Sequence, residues 1–235
     1  MYQVIRIPLH SSRLSELILK FKAAKLAALV AEPTSFATRH AEEALLPILA
    51  WEQRLAAPSA TFICVAVSKD NVESGDEAFL LLNEWVGMVT IRGPLPYSDF
   101  YLPATGQPQP AESRLEAYWH MATLYVSSAH RNRGLAKRLV NAAIEYARRQ
   151  VILNENSERI MRARIRLFCD PRKQHVVRMY SNLGFSEAGR NTLKEAFEAN
   201  GDESQIPADT NSTETLRNRW ELRFGLAMEK MEDMW

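Results

Sequence analysis

A short basic stretch with a glycine, placed between an apolar strand and an amphipathic helix, is the segment of this chain best suited to chemistry. It covers residues 131–136 (RNRGLA) and follows the apolar residues 124–126 (LYV). Such a turn can aim backbone N–H groups inward, the helix N-terminus favours negative charge, and arginines add forked donors suited to phosphate oxygens. We therefore expect a phosphorylated molecule to bind at this turn.

Two common phosphate-binding sequences are absent from the chain. It has no GxxxxGK[ST], which argues against a nucleoside triphosphatase, and no GxGxxG after the strand, which argues against a dinucleotide-binding fold. The turn instead resembles the [QR]xxGx[GA] loop of the GCN5-related N-acetyltransferases (GNAT), which binds the pyrophosphate of acetyl-CoA. Arg131, Gly134 and Ala136 occupy its three fixed positions.

A second segment, about 45 residues further on, resembles the other signature of this family, a helix that carries a tyrosine and is closed by Leu-Gly-Phe. Residues 173–185 read KQHVVRMYSNLGF. The apolar positions from Val176 to Leu183 share one helical face with Tyr180, and Gly184 suits a left-handed C-terminal cap. Tyr180 should thus point toward the core. It is either a packed core tyrosine or a catalytic one, and the turn upstream favours catalysis.

Composition and charge describe an ordinary globular protein. The chain has 235 residues, 46% of them hydrophobic and 24% charged, with a net charge of +1. It is long enough for one well-buried core and short for two, so we predict a single domain over 1–235 with insertions at about 93–113 and 191–219. The near-zero charge argues against nucleic acid or a membrane surface as partner. The arginines of 162–166 are expected to form the solvated face of a strand.

The sequence also bears on the compartment. The N-terminus lacks a secretory signal pattern. The sequence contains no run of 18 apolar residues, so no membrane span is expected. Cys64 and Cys169 match no metal-ligand spacing, so no metal site is predicted and both are expected to be buried thiols in a reducing compartment. We expect an intracellular, cytoplasmic protein, with the nucleus left open.

Hydrophobic periodicity predicts alternating strands and helices. The predicted strands cover 2–8, 61–68, 85–92, 115–126, 164–170, 185–190 and 223–231. The predicted helices cover 14 to before Pro33, 41–55 with a kink or break at Pro47, 135–149, and the tyrosine segment from 173. The apolar run 79–82 stays unassigned, and a polar insertion is expected around 200–213.

This order resembles the GNAT fold over about residues 2–231. The resemblance implies an α/β fold with a mixed, mostly antiparallel central sheet flanked by helices, in which a splayed strand pair holds the CoA. The segment 94–112 interrupts it with five prolines and three aromatics that look exposed, Tyr97, Phe100 and Tyr101. A loop of this length is usually functional or disordered, and we expect it to shape the acceptor site.

The resemblance also implies a set of residues for acetyl-CoA, the cosubstrate. They are Leu124, Tyr125, Val126, Arg131, Asn132, Arg133, Gly134, Leu135, Ala136, Lys137 and Lys173. The strand 124–126 would bind the pantetheine arm through its backbone, and a bulge there would free the N–H of Leu124 or Val126 to stabilise an oxyanion. Lys173 stands where many members have an asparagine, and it either meets a CoA phosphate or is a solvated first-turn lysine.

Three side chains are candidates for proton transfer. Tyr180 matches the family's usual general acid, which would protonate the departing thiolate. His120 lies eleven residues before Arg131, at a position similar to that of the glutamate base in histone-acetylating members. A histidine could act directly or through water, although a polar residue on a half-exposed strand is the alternative. Glu116, four residues earlier on the same strand face, is the reserve base.

Several interpretations of function stay open. The leading one is an N-acetyltransferase that moves the acetyl group of acetyl-CoA to a primary amine of a small molecule through a ternary complex. The alternatives are a protein or peptide N-acetyltransferase, suggested by the position of His120, and a non-catalytic acyl-CoA-binding module, suggested by Lys173. The acceptor and the oligomeric state, a homodimer included, are left open.

Overall fold

The computed structural model describes residues 1–67, 75–153 and 156–235, which fold into two compact units. The first unit comprises Met1–Ile91 with Thr123–Ala143, and the second comprises Arg92–Ala122 with Ile144–Trp235. The single domain expected from the length of the chain stays a prediction.

Over these described ranges the chain forms seven strands and nine α-helices. The strands are β1 (Tyr2–Arg6), β2 (Ser59–Ala66), β3 (Glu84–Leu95), β4 (Glu116–Val126), β5 (Arg162–Cys169), β6 (Ser186–Asn191) and β7 (Gly225–Asp233). The helices are α1 (Leu14–Ala31), α2 (His40–Glu43), α3 (Ile48–Leu55), α4 (Asp76–Leu82), α5 (Tyr97–Phe100), α6 (Leu135–Arg148), α7 (Gln174–Ser181), α8 (Leu193–Asn200) and α9 (Glu214–Trp220). The predicted fold class, a mixed and mostly antiparallel sheet flanked by helices, is confirmed.

The first unit contains β1, β2, the part of β3 up to Ile91 and the end of β4 from Thr123, which follow one another in the sheet order β1-β2-β3-β4. β1 and β2 are antiparallel, with Tyr2 opposite Ala66 and Arg6 opposite Phe62. β2 is buried along almost its whole length, as its continuous apolar sequence predicts. α1 packs the Phe21 ring against Trp51 of α3, and these side chains belong to the core of this unit.

The second unit contains β4 up to Ala122, followed in the sheet order by β5, β7 and β6. β4 and β5 are parallel, whereas β7 is antiparallel to both β5 and β6. Because side chains alternate along a strand, Glu116, Tyr118 and His120 of β4 share one face. Trp119 lies on the opposite face, where its ring meets Tyr146 of α6.

Most predicted elements are found within a few residues of their expected ends. The break expected at Pro47 is confirmed, since α2 ends at Glu43 and α3 begins at Ile48. The unassigned run 79–82 forms the end of α4, and the polar region from 191 to 220 forms α8 and α9. Ser68, the last residue of one predicted strand, lies outside the described residues. No helix within the described ranges has the length and apolar character needed to cross a membrane.

The proline-rich segment 94–112 is a packed part of the second unit and contains α5 and a 3-10 helix, Pro103–Thr105. The expectation that Phe100 is exposed is wrong, because its ring is fully buried and stacks on Tyr118 with centroids 5.0 Å apart. The burial depends on a partner on β4, which the local sequence does not reveal. Tyr97 and Tyr101 are half-buried, and their ring centroids lie 5.5 Å apart.

Candidate active site

The turn that precedes α6, residues 131–136, is the segment expected from its sequence to bind an anion and is called the anion turn below. Asn132 and Gly134 are both left-handed, with φ of 61° and 73°. A Cβ built on Gly134 would meet no atom within 4 Å, so the glycine is required by its backbone angle rather than by crowding. α6 begins directly afterwards at Leu135, which leaves its first N–H groups next to open space. The described arrangement fits a phosphate group.

Both arginines of the turn have hydrogen-bond or ion-pair partners in the first unit. Arg131 donates from Nε to the Val126 carbonyl at 3.0 Å, and its Nη2 lies 2.8 Å from the Glu32 carboxylate. Arg133 donates from Nη1 to the Tyr2 hydroxyl at 2.9 Å. Leu135 is buried, Ala136 is half-buried and Lys137 is exposed. The turn thus combines fixed cations with backbone donors.

The end of β4 is distorted. The paired register of β4 and β5 ends at Met121 and Leu167, although β4 continues to Val126. Thr123 has φ of 59°, a left-handed value that is a genuine outlier for a β-branched residue. Such outliers persist only where the surrounding structure imposes them, and they concentrate at functional sites. Leu124 and Tyr125, which follow it, are half-buried.

Tyr180 lies on the buried face of α7 in the second unit, as predicted. The residue is 6% exposed, its ring packs edge-on against Phe185, and Gly184 closes the helix with φ of 88°. Burial, with Cys169 nearby as a lesser cause, raises the pKa of the Tyr180 hydroxyl above its ordinary value. The hydroxyl therefore carries its proton at neutral pH and is available as a donor. Lys173 is half-buried at the N-cap of α7.

His120 is held in one neutral form inside the second unit. It is only 2% exposed, with Nδ1 3.4 Å from Arg166 Nε and Nε2 3.2 Å from Asn200 Oδ1. A guanidinium can only donate, so Nδ1 accepts and the proton resides on Nε2, which donates to the amide oxygen. Burial and then the charge of Arg166 lower the pKa of His120 well below 6.5.

Glu116 is a buried carboxylate with fixed partners. Arg164 Nε lies 2.8 Å from one of its oxygens, and the Ala111 backbone N–H donates to it at 3.3 Å. Arg164 also reaches Glu229 at 3.0 Å. A cavity of about 410 Å³ opens beside Glu116 and is lined by Tyr118 and by residues of the proline-rich segment.

The expectation that the arginines of 162–166 form a solvated face is wrong for two of them. Arg166 is fully buried, donates to the Phe100 carbonyl, and lies between the rings of Phe100 and Phe168 at 4.7 and 4.8 Å. Arg164 is held by two acids, as described above. The acids and the Phe100 carbonyl that pair with these arginines lie 48 or more residues away in sequence. The one signal in the sequence was the spacing of two between Arg164 and Arg166, which places both side chains on the same face of a strand.

The predicted site residues are divided between the two units. The first holds the distorted strand end and the anion turn, and the second holds Glu116 and His120 on one face of β4 together with Tyr180 and Lys173. Sequence reasoning missed Arg166 and Asn200, which fix His120, and Glu32, which holds Arg131.

The depressed pKa of His120 has a consequence for stability. Well above pH 6.5 the histidine is neutral in both folded and unfolded chains, so it adds no pH dependence there. Below pH 6.5 the unfolded chain gains a proton that the folded chain refuses, so the free energy of unfolding should fall by up to about 1.4 kcal/mol per pH unit until the lower folded pKa is reached.

Substitution of His120 by Gln keeps an acceptor for Arg166 and a donor for Asn200, and should remove this contribution. Urea unfolding at pH 7.5, 6.5 and 5.5 measures it. The exposed His175 on α7, changed to Gln, is the control and should keep the acid slope of the unaltered protein. Equal slopes in the His120 variant and the unaltered protein would contradict the assignment.

Comparison with known proteins identifies the family. The model of the acetyltransferase (GNAT) family matches residues 31–185, which include the anion turn and the tyrosine segment. None of the curated proteins matches the sequence of this chain.

Solved structures add the fold. The chain is similar to NAA60 of Arabidopsis thaliana in complex with a bisubstrate analogue, at 13% identity and a TM-score of 0.50 over 99% of this chain and 100% of that one. It is also similar to the ribosomal-protein-S5-alanine acetyltransferase of Vibrio fischeri, at 13% identity and a TM-score of 0.50 over 100% and 94%. The chain belongs to the GNAT family and is an acyl-CoA N-acetyltransferase.

Proposed function

We propose that this enzyme transfers the acetyl group of acetyl-CoA to the primary amine of a small molecule through a ternary complex. The observation that carries the choice of cosubstrate is the anion turn, in which two left-handed residues precede the N-terminus of α6. Its backbone donors and helix dipole suit the diphosphate of CoA.

The residues assigned to the cosubstrate from the sequence would share the binding of CoA. Backbone N–H groups of 132–136 would bind the diphosphate, with charge from Arg131, Arg133 and Lys137, while Lys173 would meet a further phosphate. Backbone groups of 124–126 would bind the pantetheine arm like an added strand. The distortion at Thr123 supports a role for the N–H of Leu124 or Val126 in oxyanion stabilisation.

Two proton transfers complete the proposed reaction. The amine nitrogen forms a bond to the thioester carbon, the carbon–sulfur bond breaks, and the thiolate takes the proton of the Tyr180 hydroxyl. The proton lost by the amine would go to His120 or Glu116, directly or through water. His120 is neutral, but Arg166 occupies its Nδ1 lone pair and must move before that atom binds a proton. Glu116 is one of the two carboxylates that line the cavity, the other being Glu112.

The fixed proline-rich segment supports a compact acceptor. It lines the cavity beside Glu116, and Arg166 ties the carbonyl of Phe100 to β5. A wall of this kind favours a small molecule over a protein tail. A protein or peptide acceptor is the second interpretation.

Measurement of CoA release from acetyl-CoA, with a panel of amines and a panel of peptides, tests the proposed function. Turnover confined to small amines supports it, and turnover confined to peptides selects the second interpretation. Tight CoA binding without turnover on either panel would indicate an acyl-CoA-binding module.

The half-buried rings of Tyr97 and Tyr101 should contribute to acceptor binding. Replacement of both by Ala should raise the KM for the acceptor about 2- to 10-fold, because an aromatic contact contributes about 0.5–1.5 kcal/mol, while the KM for acetyl-CoA stays unchanged. Phe100 is left in place because its burial stabilises the segment. Steady-state kinetics with each substrate varied in turn measures the effect.

Trp235, which is exposed near β7, serves as the control when changed to Ala and should alter neither KM. If the double tyrosine variant leaves the acceptor KM unchanged, the segment has no part in acceptor recognition.

A further inference from the structure

Glu32 places a carboxylate at the anion turn. Its Oε1 lies 2.8 Å from Nη2 of Arg131, and the two side chains are 27% and 44% exposed. The same guanidinium donates through Nε to the Val126 carbonyl. Arg131 is therefore held on two sides, by a backbone oxygen at the end of β4 and by an acid from α1.

The position of Glu32 at the end of α1 gives no local reason for an acidic residue there. Glu32 is the C-cap of this 18-residue helix, and the last turn contains no basic residue. A negative charge at a helix C-terminus opposes the helix dipole and is locally unfavourable. The ion pair with Arg131 compensates it, and the Ser35 hydroxyl donates to the other carboxylate oxygen at 3.5 Å.

The segment that begins at Glu32 also contacts the strand proposed to hold the pantetheine arm. The Ser35 N–H donates to the Glu32 carbonyl at 2.9 Å, and the Phe36 ring lies 5.9 Å from that of Tyr125. Lys25 of α1 places its ammonium 4.3 Å from the centroid of Phe36. Glu32 thus belongs to an anchored segment and is not a freely rotating surface acid.

We propose that Glu32 is an internal counter-ion that competes with the CoA diphosphate for Arg131 and so weakens acetyl-CoA binding. The inference rests on the proposed cosubstrate site at the same turn. When a diphosphate binds, Arg131 exchanges one carboxylate for phosphate oxygens, and the charge of Glu32 then repels the bound anion. The same carboxylate favours release of the product CoA, because its ion pair with Arg131 forms again when the diphosphate leaves.

Loss of the Glu32 charge should therefore strengthen binding. Partly exposed ion pairs are worth up to about 1 kcal/mol, so Glu32→Gln should lower the Kd for CoA by about two- to fivefold. The gain should shrink as salt is raised from about 0.02 M to 0.3 M, because screening weakens both the pair and the repulsion. Affinity for pantetheine, which lacks the diphosphate, should stay unchanged.

Calorimetric titration of the full chain with CoA and with pantetheine tests the proposal. Glu16→Gln is the matched control, because Glu16 lies on the same helix and pairs with Arg13, not with the turn. A double-mutant cycle with Arg131→Gln completes the design, since Glu32→Gln should gain much less affinity when Arg131 is absent.

The outcomes separate this inference from the proposed function. If the unaltered protein does not bind CoA, the cosubstrate site itself is wrong. If it binds CoA, and Glu32→Gln binds with equal or lower affinity, the counter-ion role is wrong. A tighter complex with CoA, unchanged affinity for pantetheine and loss of the gain in the Arg131 background support it.

Discussion

Substitution of Tyr180 by Phe should lower kcat by about 10²- to 10⁴-fold, the usual contribution of a positioned general acid. The ring packs against Phe185 in the core, and the change keeps that packing while it removes only the hydroxyl. Burial raises the pKa of this hydroxyl, so it is protonated over the whole neutral range and can donate to the thiolate. The affinity for acetyl-CoA should be preserved.

Steady-state kinetics and a CoA titration of the same preparation measure the two effects separately. Tyr146→Phe is the control, because this half-buried tyrosine of α6 faces Trp119 on the other side of β4. It should retain full kcat. A Tyr180→Phe enzyme that also retains full kcat would remove the general-acid role and leave protonation of the thiolate to water.

Substitution of Gly134 by Glu should lower the affinity for acetyl-CoA by at least tenfold, which corresponds to about 1.4 kcal/mol. Two effects add. The new carboxylate enters the open space beside the N-terminus of α6 and repels the phosphate, and φ of 73° is unfavourable for any residue with a Cβ. Calorimetric titration with acetyl-CoA measures the loss.

Gly106 offers a matched control for the backbone effect. It has φ of 79°, and a Cβ at this position would likewise meet no atom within 4 Å, but it lies after the 3-10 helix of the proline-rich segment. Gly106→Glu should carry a similar backbone penalty and leave acetyl-CoA affinity unchanged. Unaltered affinity in a folded Gly134→Glu protein would show that the diphosphate binds elsewhere.

Local patterns predicted the fold class and the two motifs because their physical causes are local. The glycine angle at 134, the start of α6 and the apolar face of α7 each depend on residues within a few positions. The break at Pro47 is of the same kind, because proline lacks the N–H that a helix interior needs. The roles given to His120, Glu116 and Tyr180 stay predictions.

The contacts that surround the site could not be predicted, because they join distant parts of the chain. Arg166 is buried by Phe100, which lies 66 residues away in sequence, and His120 is paired with Asn200 from 80 residues away. Arg131 is held by an acid at the end of α1. A single sequence gives the type of each residue but does not identify its partner. The surroundings of Arg166, His120 and Arg131 therefore became visible only in three dimensions.

The position of Gly189 in β6 bears on self-association. β6 is the last strand in the order of the second unit, and its register with β7 shifts between Glu187 and Arg190. A Cβ on Gly189 would lie 2.3 Å from the carbonyl oxygen of Thr105, so the backbone of the proline-rich segment rests directly on this strand. Irregular and covered edge strands resist pairing with another copy of the chain. Shortening this segment would therefore uncover the face of an edge strand at Gly189, and we expect aggregation as the result even if catalysis survived.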